Sequence, residues 1–223
     1  MHFCYVVGNG SKWENNELRY SLRSIAKYTK DPSVTIVGSA PAWVKNVRYI
    51  PMPEPVGHRL FRTNVKLLSA LPYLPDGFVY MNDDFYLMQP LDYIPVIHDG
   101  PLRDAISNLM GSGDITVHLH TLQETFENLL NYTDEPLNYE LHQPMFFMRD
   151  LVYQACAVFP LWNLQIKSIY GNWAHQEGER WRNAKINTEY AGGPFYSTGE
   201  YPSQKTQNLF AERFPDPSPF EAA

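Results

Sequence analysis

The chain has 223 residues, with 18 Lys and Arg against 24 Asp and Glu, for a formal net charge of −6 at pH 7. That acidic balance argues against a general nucleic-acid binder, whose partner demands clustered Lys and Arg. The hydrophobic and charged fractions, 44% and 19%, are those of an ordinary soluble protein. Two distant cysteines, Cys4 and Cys156, make no disulfide framework and fit a reducing compartment. No run approaches a membrane span, and the N-terminus is too polar by Asn9 for a signal peptide, so a cytoplasmic protein is expected. The length suits a single domain over 1–223, with 1–97 as one half and 98–223 as the other.

In chain order, Phe3-Cys4-Tyr5-Val6-Val7 reads as a buried strand broken by Gly8-Asn9-Gly10-Ser11. A glycine-bearing turn after the first strand is a natural place for backbone to approach a nucleotide, and a plain β-turn fits it equally well. Residues 16–28 carry Leu18, Leu22 and Ile25 at i, i+4, i+7 and predict a helix capped by Asn15 or Asn16. Arg19 and Arg23 fall one turn apart on a neighbouring face. Arg23 reads as part of a solvated basic face, and Arg19 is open to a role as a phosphate clamp. Val34–Gly38 and Val47–Ile50 predict two further strands, with a short helix or turn at Pro41–Val44 between them. The alternation of strand and helix predicts a parallel sheet with helices on its faces. Arg59 to Leu71 predicts a second helix, with His58, Arg59, Arg62, Asn64 and Lys66 gathered near its start, a setting that suits an anion.

Phe78-Val79-Tyr80-Met81 is a fourth apolar, β-prone run, and it delivers Asn82-Asp83-Asp84. Adjacent carboxylates are costly there unless something positive sits beside them. A divalent cation carrying a diphosphate meets that need, because Mg²⁺ or Mn²⁺ takes one or two carboxylates and completes its shell with phosphate and water. An acidic turn with no ligand is the plain alternative.

A short strand and loop is expected over Leu87–Ile97. Ile115 to His120 alternates and predicts a strand with Thr116, His118 and His120 on one side. Leu122 to Leu130 predicts a helix. His142, ahead of Pro144, lies on a non-helical lead-in to a helix expected from Met145 through Ala157. It is a candidate general acid or base, against the alternative of a packed histidine. An amphipathic piece at Ile166–Trp173, a short strand at Phe195–Ser197, a helix from Ser203 to Phe214 and an extended tail pinned by Phe220 complete the reading.

Several of these pieces, in this order, resemble the Stealth family of sugar-phosphate transferases. They are Tyr5-Val6-Val7-Gly8-Asn9-Gly10-Ser11, Asn16-Glu17-Leu18-Arg19-Tyr20-Ser21-Leu22-Arg23-Ser24-Ile25 and Phe78-Val79-Tyr80-Met81-Asn82-Asp83-Asp84. The His142-x-Pro144 block and the ending from Arg213 to Glu221 support them. The resemblance implies an α/β, glycosyltransferase-A-like (Rossmann-like) fold. It also implies transfer of a sugar-1-phosphate or a sugar from a nucleotide sugar, UDP-linked by expectation, to an acceptor hydroxyl with Mg²⁺ or Mn²⁺. By position, Asp83 and Asp84 become the metal and diphosphate site. Asn9, Gly10 and Ser11 become nucleotide-proximal, and His142 the acid or base. Beyond the resemblance, Arg19, Arg62 and Lys66 are expected to pair with phosphate oxygens, so that the nucleotide-sugar-binding set is Val7, Asn9, Gly10, Ser11, Arg19, Arg62, Lys66 and Asn82 and the catalytic set Asp84, His142 and Arg19. The chain departs from the family pattern where a third-block arginine has no clear counterpart, Lys167 being only nearby. It departs again where Ser197-Thr198-Gly199 replaces a late Asn-Asp. Two alternatives stand beside this reading: a glycosyltransferase acting on nucleic acid, and a sugar-binding relative without turnover.

Overall fold

The structure, a computed structural model, describes residues 1–113, 116–181, 189–199 and 201–222. Its centre is a sheet of strand order β3-β2-β1-β4-β7, built from β1 (His2–Val7), β2 (Ser33–Gly38), β3 (Arg48–Pro51), β4 (Gly77–Met81) and β7 (Met145–Met148). The first four strands pair in parallel, and β7 runs antiparallel to β4. Helix α1 (Asn16–Tyr28) connects β1 to β2, and α2 (Arg59–Ala70) connects β3 to β4. Two small sheets follow: β5 (Phe85–Leu87) with β9 (Phe195–Ser197), and β6 (Ile97–His98) with β8 (Glu179–Arg180). Helices α3 (Leu102–Ser112), α4 (Val117–Leu129), α5 (Arg149–Val158), α6 (Ile166–Trp173) and α7 (Gln204–Arg213) complete the described elements. The protein is therefore a mixed α/β fold with a mainly parallel central sheet flanked by helices.

Strict alternation sends side chains to both faces of the sheet. Phe3, Tyr5, Val7, Ile36, Val79 and Met81 join Leu18, Leu22 and Ile25 of α1 on one face. Cys4, Val6, Val37, Phe78 and Tyr80 join α2, α5 and α6 on the other. Buried on both sides, these strands read as continuous apolar runs, as parallel strands do. A third cluster, Trp13, Tyr86, Tyr196, Phe210 and Phe214, seats α7 against β5 and β9. Among the described residues, no helix is long and apolar enough to cross a membrane.

Three expectations need correction. The strand expected over 115–120 is not one: Ile115 lies outside the described residues, and α4 already runs from Val117. Thr116 caps it, its hydroxyl accepting from the Leu119 amide at 3.4 Å, and Leu119, Leu122 and Leu129 bury one helical face. His118 and His120 are both exposed on that helix, not aligned along a strand. The helix expected from Met145 begins only at Arg149. Residues 145–148 alternate buried and exposed and pair with β4, with Tyr80 opposite Met145 and Gly77 opposite Met148. Finally, Arg23 is not on a solvated face. Its guanidinium donates two bonds of 2.8 Å to Glu221 near the C-terminus.

Candidate functional site

β1 lies between β2 and β4, so the sheet's winding reverses there. The crevice beyond the carboxyl ends of β1 and β4 is the position where open α/β sheets bind ligands. The register sets Tyr5 opposite Met81, which brings the two strand ends level. The Gly8–Ser11 loop leaves β1 there, and Asn82-Asp83-Asp84 leaves β4. The Phe85 amide donates to the Asn82 carbonyl at 3.3 Å, closing a tight turn with Asp83 and Asp84 at its tip, a place that suits Asn and Asp. The base of the turn is stapled to α1. The Tyr5 phenol shares a 2.9 Å bond with Ser21 Oγ, and that hydroxyl donates to the Phe85 carbonyl. One turn on, Ser24 Oγ accepts from the Leu87 amide at 3.0 Å.

The site is short of positive charge. Burial, then the charges of Asp84 and Glu17, push the Asp83 carboxyl up to about 7, with Arg59 opposing the rise. Burial and the same three carboxylates hold the Tyr86 phenol well above its usual range. Glu17, in the first turn of α1, is only 9% exposed, and its Oε2 has no hydrogen-bond partner among the described residues. Reading the sequence for apolar spacing missed Glu17. The signal was a second stripe, Glu17, Ser21 and Ser24 at i, i+4 and i+7, all buried against the turn.

Behind the turn sit groups from the second half of the chain. The Thr198 amide donates to the Asp84 carbonyl at 3.3 Å, and Thr198 Oγ1 shares a 3.1 Å bond with the Tyr86 phenol. The segment that follows β9 is thus carried to the acidic turn. The His142 ring meets the Phe85 ring edge-on at 6.4 Å. Lys167 is 5% exposed. Its Nζ donates to the Leu141 carbonyl and lies 5.4 Å from the centre of the Phe85 ring. Burial lowers its pKa, while the charges of Glu140 and Asp84 act to keep it protonated. The Glu140 carboxylate in turn accepts from the amides of Lys167 and Ser168 at 2.8 and 3.1 Å. His142 and Lys167 therefore converge on the residue that follows Asp84.

The remaining expected site residues are Val7, the Asn9–Ser11 loop, Arg19, Arg62 and Lys66. Val7 is buried, and its carbonyl accepts from Lys66 Nζ at 3.1 Å. Lys66 Nζ also bonds Glu54 at 2.5 Å, and Arg62 pairs with the same carboxylate at 3.4 Å. Asn9 and Gly10 are exposed. The Ser11 hydroxyl accepts from the Trp13 and Asn15 amides at 3.2 and 2.7 Å and shapes the approach to α1. Arg19 lies 3.6 Å from Glu221 and 4.7 Å over the Trp43 ring.

Among the described residues, no group of three or more His, Cys, Asp or Glu side chains is placed to enclose a metal ion. Asp83 and Asp84 form a different kind of donor set: two hard oxygen ligands on one turn, in a neighbourhood whose excess negative charge a cation relieves. That set fits Mg²⁺ or Mn²⁺, which leave much of their shell to phosphate and water.

No protein-family model matches this chain, and no curated protein does. Among solved structures, the galactosyltransferase LgtC in complex with donor and acceptor sugar analogs aligns at a TM-score of 0.42 and 12% identity, over 77% of this chain and 70% of that one. An active-site mutant of LgtC aligns at a TM-score of 0.44 and 12% identity, over 99% of this chain and 85% of that one.

Proposed function

We propose that the protein is a divalent-metal-dependent transferase that uses a nucleotide-activated sugar. The observation that carries this reading is the Asn82–Asp84 turn. It places adjacent carboxylates at the winding reversal of the sheet, opposite a glycine loop, with Glu17 buried beside them and too little positive charge to balance them. Asp83 and Asp84 would hold Mg²⁺ or Mn²⁺ against the donor diphosphate, and the ion would offset the negative charge that develops there. The Asn9–Ser11 backbone would line the nucleoside end of the crevice. His142, fixed against Phe85, would accept the proton of the acceptor hydroxyl at a ring nitrogen. Lys167 holds the Leu141 carbonyl and so sets the backbone that presents His142.

The acceptor oxygen has two possible targets, and they balance differently. Attack at the sugar C1 breaks the C1–O bond and releases a nucleoside diphosphate. Attack at the sugar-bearing phosphorus breaks the phosphoanhydride and releases a nucleoside monophosphate. The mass of the released nucleotide separates the two. The first experiment is a thermal-shift panel of nucleotide sugars with and without Mn²⁺. Stabilisation by one donor, dependent on the metal and lost in Asp84→Asn, is the expected result. A panel in which no nucleotide sugar stabilises the protein defeats the reading.

A further inference from the structure

The cations closest to the crevice in sequence are mostly committed elsewhere. Arg62 and Lys66 are pinned by Glu54. Arg23 is bound to Glu221, and Arg19 lies between Glu221 and Trp43. Lys167 is buried and turned onto a backbone carbonyl. Arg59 differs from all of these. It is the first residue of α2, on the crevice side of a parallel sheet, because that helix returns the chain from β3 to β4. Its side chain is exposed, and it makes no hydrogen bond or ion pair with another described residue. Its position in the helix is fixed from outside: the His58 ring caps the helix, Nδ1 accepting from the Phe61 amide at 3.3 Å. Helix α2 packs on the sheet face that carries Tyr80, one residue before the end of β4, so its first turn stands beside the crevice.

A second feature of this crevice points to a ligand. Glu17 faces the same Asp83, is nine-tenths buried, and keeps an oxygen with no hydrogen-bond partner among the described residues. A buried carboxylate oxygen left this way is costly in the free protein and gains a partner when a ligand hydroxyl or a hydrated cation arrives.

We propose that Arg59 is the phosphate-binding cation of this site, its guanidinium reaching across the crevice to a diphosphate held over Asn82–Asp84. This rests on the nucleotide-sugar reading above. A planar guanidinium suits the task, since its paired N–H groups engage two phosphate oxygens at once. The free protein keeps Arg59 in water, so nothing internal has to be broken before it turns to the ligand. Arg62 and Lys66 would first have to leave Glu54.

The test is calorimetric titration of the whole protein with UDP, GDP and CDP in Mn²⁺, and with the matching nucleosides. Arg59→Ala is expected to weaken the preferred diphosphate about tenfold or more, the scale of a lost charged hydrogen bond. It should leave nucleoside binding unchanged. Arg59→Lys should recover part of the loss. Arg62→Ala should change diphosphate affinity less than Arg59→Ala. Undiminished diphosphate binding by Arg59→Ala overturns the assignment while the function stands. Wild-type protein that binds no diphosphate overturns both.

Discussion

Two carboxylates in this protein, one buried and one half-buried, meet opposite surroundings. Glu221 is 6% exposed. Burial alone would raise its pKa, yet the Arg23 fork and the Ser218 amide and hydroxyl, at 2.8 and 3.0 Å, outweigh that and lower it. Around it the chain end is laced down: the Lys45 amide donates to the Phe220 carbonyl at 2.9 Å, and the Ala222 amide to the Trp43 carbonyl at 2.6 Å. Asp83 also sits in a crowded place, but burial and the charges of two more carboxylates outweigh Arg59, and its pKa is driven up. Glu221 has its cation from within the chain, and its job is to fasten the tail to α1. Asp83 has too little, and the deficit is what a bound ion would fill. A buried acid with its partners is architecture, and a crowded acid short of countercharge is a candidate place for a ligand.

Removing the central charge gives the largest expected effect. Asp84→Asn keeps the side-chain volume and, on the proposed function, should lower kcat by about 10²–10³-fold, the scale seen when a stabiliser of developing charge is lost. Circular dichroism should show the fold intact. Full turnover in that variant would remove Asp84 from the chemistry. Next comes the opposite experiment at the tail. Arg23→Ala leaves Glu221 buried with its main partner gone and should cost on the order of 3 kcal/mol in urea unfolding. The donor KM of the folded fraction should stay as it was. A loss under about 1 kcal/mol would mean that the tail holds without its ion pair.

That the tail lock escaped sequence reading has a plain cause. Arg23 and Glu221 are 198 positions apart, and no local pattern couples them. Arg23 on a helix surface looks like any solvated arginine until the chain end arrives. The strands were legible for the opposite reason: Phe3–Val7 and Phe78–Met81 are buried on both faces, so composition alone marks them. Asp83 and Asp84 were legible because charge directly after such a run is conspicuous. Glu17 was not, since an acid in the first turn of a helix is ordinary for dipole reasons. Only the sheet's winding reversal turns it toward Asp83. The two misread elements, 115–120 and 145–148, are short, and short apolar runs suit either period. Thr116 as a cap decided the first, and the open edge of β4 decided the second.

The contrast between the two acids also predicts opposite responses to pH in metal-free protein. Asp83 binds its proton more tightly folded, at about 7, than unfolded, at 3.8. Its unfavourable contribution is therefore complete above pH 7 and is relieved as pH falls from there toward 3.8. Glu221 has a folded pKa below 4.5, so its stabilisation is present above 4.5 and is lost as pH falls through the lower value. The melting temperature should rise from pH 8 to about pH 5 and then fall. Asp83→Asn should flatten the rise and stabilise the metal-free protein at pH 8 by about 1 kcal/mol, as relief of functional strain does. Mn²⁺ at pH 8 should flatten the rise in the same way, because the ion takes the place of the proton. An unchanged slope in Asp83→Asn would show that the pH response comes from elsewhere.

A third acid sharpens the comparison by having a partner and no burial. Glu135 pairs with Arg103 on the surface, with side chains 53% and 62% exposed. Water already solvates both charges, so the pair gains little attraction and loses side-chain freedom by forming. Arg103→Ala should change unfolding stability by less than about 0.5 kcal/mol at moderate salt, several-fold below Arg23→Ala. Both arginines meet a glutamate, so the gap between the variants isolates what burial adds to the same ion pair. Equal losses at the two positions would mean that Glu221 is hydrated in solution. The tail would then be held by the Phe220 and Trp43 contacts and not by its charge.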